Sequence, residues 1–203
     1  MEKIKISTEI ENIIVNAKAG KIFIISDFTD ISEYETAKKT LLRLEKAGVI
    51  KRALRGVYYK PEYSKLLQEY VEADPNEIAK AIARNFNWTI APSGDYALNL
   101  LGLSTQVPAT WSYVSDGPYR KFDYENIKIE FMHRTNREIS GISYKTALVI
   151  QAIKTLGEDK IDENVINQIR KVIKEEKYLV LKESQNTTSW IYSTIKKICG
   201  KSE

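Results

Sequence analysis

Apolar residues in the first sixty positions follow two alternating periods. Ile10, Ile13, Ile14 and Ala17 share one helical face. Thr8-x-x-Glu11 reads as a capping box opening that helix, in which each side chain satisfies a free backbone amide, and Gly20 ends it. Residues 21–25, Lys-Ile-Phe-Ile-Ile, break the helical period and predict a short strand. Ser26 caps a short second helix over residues 27–31. Ser32-x-x-Glu35 is another capping box and opens a third helix to about Ala47, with Ala37, Leu41 and Leu44 as its apolar stripe and Gly48 beyond its end. Residues 49–53 and 57–60 then predict a two-stranded ribbon turning at Arg55-Gly56, where glycine takes positive φ without steric cost. Pro61 lacks a backbone donor and stops the ribbon. Of Tyr58 and Tyr59, one has to face inward.

Farther along, residues 63–70 predict a helical connector leading to a helix that Asp74-Pro75-Asn-Glu77 opens, with N-cap aspartate, proline in the first turn and glutamate at the third position. That helix carries Ile78, Ile82 and Ala83 to about Asn85. Ser93 caps a helix that buries Ala97, Leu98, Leu100 and Leu101 before Gly102. Strand-like stretches follow at 109–115, 120–123 and 127–133, and helices at 144–156, 163–176 and 188–199. The expected class is α+β, with domains at 1–62 and 87–203 and a helical connector at 63–86.

Helix, strand, helix, turn, helix and two-stranded ribbon is the order of a winged helix-turn-helix. The third helix becomes the recognition helix and the ribbon becomes the wing. In such modules the recognition helix enters the major groove, where Arg and Lys reach guanine edges. Thr36, Lys39, Thr40 and Arg43 lie away from the apolar stripe of that helix. Arg52, Arg55 and the tyrosine hydroxyls fit the wing. Charge sharpens the picture. Residues 1–60 hold 12 Lys and Arg against 8 Asp and Glu, and the rest of the chain balances at 19 each, so the net +4 lies entirely in the first sixty residues. Within 34–60, Lys38, Lys39, Arg43, Lys46, Lys51, Arg52, Arg55 and Lys60 face only Glu35 and Glu45. Such an excess suits a polyanion partner. Winged helices also serve as protein-docking modules, and that reading stays open.

The chain has 203 residues, enough for one large domain or two small ones. It contains no apolar run of about 18 residues, which argues against a membrane span. Its N-terminus alternates charged and apolar residues, unlike a signal peptide. A single cysteine, Cys199, excludes an internal disulfide and suits a reducing cytoplasm. His133 is the only histidine, so a zinc site would have to be built from carboxylates. The glycines follow no phosphate-cradling pattern. Asp116, Asp123, Glu125 and Glu130 cluster around strands with Lys128 between them, but Glu125-Asn-Ile-Lys128 is one residue longer than the nuclease pattern. The expectation is a cytoplasmic protein without catalytic residues, cofactor or metal.

Arg55-Gly-Val-Tyr58, following the Leu41-x-x-Leu44 helix, resembles the N-terminal domain of AbiEi-family antitoxins and their close relatives. Residues 90–108, IAPSGDYALNLLGLSTQVP, resemble the start of the domain that follows it. The resemblance covers most of the chain, most closely 20–60 and 88–135. It implies the antitoxin half of a bacterial type IV toxin–antitoxin, or abortive-infection, pair. It further implies a winged helix that binds inverted repeats in its own promoter, and a second domain that counters a nucleotidyltransferase-like toxin without a stable complex. By position it places DNA contacts on Lys38, Lys39, Arg43, Arg52 and Arg55. With the residues read above, the candidate DNA-binding set is Thr36, Lys38, Lys39, Thr40, Arg43, Arg52, Arg55, Tyr58 and Lys60. Two copies on an inverted repeat are expected for repression. One alternative is a regulator whose second domain senses a ligand or oligomerises, with no toxin; another is a nuclease directed to DNA by the wing.

Overall fold

Ile6, Ile10 and Ile14 fall one helical turn apart, and the fold winds a helix, α1 (Glu2–Asn16), that turns them toward one core. The computed structural model describes residues 2–134 and 139–200. The chain is mixed α+β and divides into two compact units, residues 1–87 and 88–203.

In the first unit, α1 is followed by β1 (Ile22–Ile24), a single 3-10 turn at Ile25–Phe28, and α2 (Tyr34–Lys46). Then come β2 (Lys51–Leu54) and β3 (Val57–Tyr59), joined at Gly56, whose φ of +82° only glycine adopts readily. β3 is the central strand of an antiparallel three-stranded sheet in the order β1-β3-β2. Ile10, Ile14, Phe23, Phe28, Leu41 and Leu44 are buried together beneath it, with Tyr58 among them.

The helix expected over 27–31 after a Ser26 cap is only the 3-10 turn at Ile25–Phe28, with Ile24 at its cap. Three further local expectations in this unit give way to tertiary contacts. Thr8 lies inside α1 rather than capping it, because a further turn upstream packs Ile6 on the core. Ser32 does not close a capping box either. Its hydroxyl donates to the Glu33 carbonyl (3.1 Å), and Glu33 occupies the cap position. The third correction concerns 63–70, expected as a helical connector. It folds instead into a hairpin of β4 (Glu62–Ser64) and β5 (Glu69–Val71). Tyr63 and Tyr70 pair across it with rings 5.3 Å apart, edge to face, a cross-strand contact that stabilises a sheet. The leucines behind the helical expectation sit in the turn, Leu66 being 92% exposed, so they have no core to face. The helix opened by Asp74 forms as α3 (Pro75–Phe86), and the Asp74 carboxylate accepts from the Asn76 N–H. It packs on β1 and β3 as part of the first unit. Arg84 near its end donates two hydrogen bonds to Asp27 (2.9 and 3.0 Å).

The second unit opens with β6 (Ile90–Pro92) and α4 (Gly94–Leu100), followed by β7 (Thr110–Ser115), β8 (Arg120–Tyr124) and β9 (Ile127–His133). These strands form one sheet in the order β6-β7-β9-β8, with β7 and β9 parallel and the other pairs antiparallel. Tyr113 and Phe131 stack across the parallel pair with centroids 5.7 Å apart, and Trp88, Tyr96 and Phe122 meet their edges. Gly117 closes this cluster, since a Cβ there would stand 2.2 Å from the Trp88 ring.

Among the described residues, four α-helices complete the unit: α5 (Tyr144–Leu156), α6 (Glu163–Val172), α7 (Lys177–Glu183) and α8 (Ser189–Cys199). The single helix expected over 163–176 is broken. Ile166, Ile169 and Ile173 follow one stripe into the core, and the chain then turns so that Val180 and Leu181 enter the same core from α7.

Glu183 on α7 binds the N-terminus of α5. Its Oε2 accepts from the Ser143 N–H (2.9 Å), the Ser143 hydroxyl (2.8 Å) and the Thr146 hydroxyl (2.5 Å). Burial pushes this carboxyl upward, but the Thr146 and Ser143 hydrogen bonds outweigh it and hold the group below its ordinary range. A folded-state value below the unfolded one means that the stabilisation is complete above the ordinary carboxylate range and fades as pH falls through the depressed value. Glu183→Gln should therefore lower stability to urea at neutral pH by about 1–2 kcal/mol. That difference from the wild type should shrink as the pH is lowered; a gap unchanged between neutral and acid pH would remove the charge from the explanation.

Candidate nucleic-acid interface

The helical period leaves one side of α2 in solvent, and the β2–β3 turn stands beside it. Between them lies a cleft of about 290 Å³. Tyr34 and Lys38 of α2 line one wall, Arg52 and Arg55 of the hairpin line the other, and Tyr58 and Asn85 contribute to the lining. The cations here are weakly engaged. Lys38 Nζ is 3.4 Å from Glu35 and 5.9 Å from the Tyr34 ring centre, both exposed contacts worth little. Arg52 Nε donates to the Leu54 carbonyl at 3.3 Å, which orients the guanidinium along the hairpin. Arg55 is exposed at the turn. Lysine 51, on the same strand as Arg52, sits 4.3 Å over the Tyr70 ring.

On its other flank α2 borders a second groove of about 310 Å³, lined by Ser7 of α1 together with Thr36, Lys39, Thr40 and Arg43. Lys39 is exposed there, and Thr36 is half-buried. Arg43 Nη2 donates to Glu11 Oε2 at 2.6 Å, so this guanidinium is held toward α1. Five of the six candidate cations thus fall into two sets, Lys38, Arg52 and Arg55 at one cleft and Lys39 and Arg43 at the other.

Three expected contacts are corrected by their surroundings. Thr40 is 4% exposed; its hydroxyl donates to the Thr36 carbonyl (2.8 Å) and bonds the Ser7 hydroxyl (3.1 Å). It fastens α2 to α1. Tyr58 is 3% exposed and belongs to the core. Burial raises the pKa of its hydroxyl, Glu45 adds to that, and Arg52 partly offsets it. Tyr59 is buried too, because both faces of β3 are covered. Lys60 Nζ donates to the carbonyls of Val15 and Ala17 (2.5 and 2.7 Å) and so caps the end of α1. Thr40, Tyr58 and Lys60 are framework residues. Tyr34 and Asn85 line the cleft without having been expected. Tyr34 precedes Lys38 by one helical turn, a spacing legible in the sequence, whereas Asn85 arrives from α3 by packing alone.

Elsewhere, three of the carboxylates singled out around the strands face groups of the same unit. Asp116 accepts from the Thr89 N–H (2.8 Å), Asp123 stands opposite Lys128 in the β8–β9 register, and Glu130 lies 2.6 Å from Lys121. The hydrogen bond from Lys121 to Glu130 raises the pKa of the ammonium. His133 Nδ1 lies 3.0 Å from the Gly117 carbonyl, and Cys199 Sγ is 3.5 Å from the Lys177 carbonyl. Among the described residues, no group of three or more His, Cys, Asp and Glu could hold a metal ion. No helix among them is long and apolar enough to cross a membrane.

No curated protein matches this chain. Among solved structures it is similar to the crystal structure of the Rv2827c protein from Mycobacterium tuberculosis, at 11% identity and a TM-score of 0.42, over 94% of this chain and 74% of that one. A family of unknown function, DUF6088, matches residues 9–181, spanning both units. By the extent of that match, the chain belongs to the DUF6088 family.

Proposed function

We propose that this protein binds DNA through residues 1–62 acting as a winged helix-turn-helix, with α2 as the recognition helix and the β2–β3 hairpin as the wing. One observation carries the reading: Lys38 from the helix and Arg52 and Arg55 from the hairpin line a single open cleft, engaged only weakly by protein groups. Like charges gathered on one surface repel each other until a polyanion neutralises them, and phosphate contacts supply most of the sequence-independent affinity for DNA. Lys39, exposed on the same helix, is the candidate for reading a base edge. The resemblance to AbiEi-family antitoxins extends the reading to a cytoplasmic autorepressor of a type IV toxin–antitoxin operon, countering a nucleotidyltransferase-like toxin. A regulator with no toxin is the second reading; a neighbouring reading frame that encodes a nucleotidyltransferase-like protein would favour the first.

Fluorescence anisotropy of the full chain with DNA from upstream of its own gene, beside a random duplex and across a salt series, tests the proposal directly. Tight, selective, steeply salt-dependent binding is expected, and weak binding to both duplexes would turn the winged helix into a protein-docking module. Arg55→Ala should reduce the salt slope by about one unit; an unchanged slope would take Arg55 out of the interface. Lys39→Ala should cost about 1–3 kcal/mol on the upstream duplex and less on the random one. Equal losses on both would make it a phosphate contact. Thr40→Val should lower stability by about 1 kcal/mol through its buried hydrogen bonds while leaving the salt slope as it was.

A further inference from the structure

The two grooves that border α2 differ in their charges. The one lined by Ser7, Thr36, Lys39 and Arg43 also carries the carboxylates of Glu33 and Glu35. Among the described residues lining the cleft beside the hairpin none is acidic, and its polar side chains are those of Lys38, Arg52, Arg55, Tyr34, Tyr58 and Asn85. Every one of these carries a hydrogen-bond donor. Asn85 alone comes from outside residues 1–62. It is exposed on the last turn of α3, and its amide makes no hydrogen bond to another described residue. Its place is nonetheless fixed. The adjacent Arg84 clamps Asp27, which also accepts from the Ile24 N–H (2.9 Å), and α3 packs on β1 and β3.

We infer that the cleft seats the sugar-phosphate backbone of DNA and that Asn85 donates a hydrogen bond to a phosphate there, which extends the DNA-binding surface into α3. This rests on the DNA-binding reading above. A phosphate oxygen accepts from ammonium, guanidinium and amide groups alike. The three cations neutralise phosphate charge and release condensed counterions, so the affinity they supply falls as salt rises. An amide is neutral, and it adds a hydrogen bond while releasing no counterion. It also meets every duplex in the same way, because a phosphate carries no sequence. Asn85 therefore supplies affinity without salt slope and without selectivity, a combination that neither a cation nor a base-reading residue shares.

The test compares full-length wild type, Asn85→Ala, Asn85→Lys and Glu9→Gln by anisotropy on the random and upstream duplexes across the salt series. Glu9 is exposed on α1, is not among the residues lining either groove, and controls for the single added positive charge. Asn85→Ala should weaken binding to both duplexes equally, by about three- to tenfold, the scale of one hydrogen bond, at an unchanged slope. Asn85→Lys places a cation at the same phosphate and should steepen the slope by about one unit on both duplexes, more than Glu9→Gln does. Three results would each overturn the inference and leave DNA binding standing. They are Asn85→Ala binding as the wild type does, a loss confined to the upstream duplex, and an Asn85→Lys slope no steeper than that of Glu9→Gln. Wild type that binds neither duplex would remove the DNA-binding reading and this inference together.

Discussion

The burial of β3 on both faces is the constraint on which the first unit depends. Successive side chains of a strand point to opposite faces, so a three-residue strand is wholly buried only when something covers each side. Tyr58 enters the core with Phe23, Leu41 and Leu44, while Val57 and Tyr59 face the other way, and α3 packs against β1 and β3. β1 and β2 flank the strand through its backbone. A hairpin anchored in this way is not a loose loop. Its cations are carried on a backbone held at a set place beside α2.

Around that anchor the charges divide by use. Lys60 and Arg84 are committed to the fold, one capping α1 and the other clamping Asp27. Arg43 is shared with Glu11, whereas Lys38, Arg52 and Arg55 face the open cleft. A raw count of basic residues blurs these roles. Water screens the exposed set well enough for the folded chain to carry it.

The second unit uses its polar groups differently. Glu183 supplies charge where the free amides of α5 begin, Asp116 closes the loop before β6, and Glu130 pairs with Lys121 along the sheet edge. Each carboxylate has a structural partner within hydrogen-bond distance. The aromatic cluster from Trp88 to Phe131 is packed so closely that Gly117 has no room for a side chain. These features define a closely packed scaffold of stacked rings and helices that share one core.

Local interactions were legible in the sequence because they are made within a few residues. The α5 boundaries at Tyr144 and Leu156, the Asp74 and Asp162 caps, and the turn at Gly56 all follow from periodicity, a side-chain acceptor near free amides, or the freedom of glycine. The elements of the basic module were legible for the same reason, as was the concentration of charge upon it. What distant residues decide was not legible. A core position for Ile6 drew α1 past Thr8, the Tyr63–Tyr70 pairing overrode a helical stretch, and the shared core of α6 and α7 broke a helix that propensity alone would continue. Within the candidate site, sequence determined which residues are cationic. Only the packing of α1 and the sheet against α2 decided which cations the fold consumes and which it leaves facing the cleft, because a hydrogen bond across thirty or more residues has no local signature.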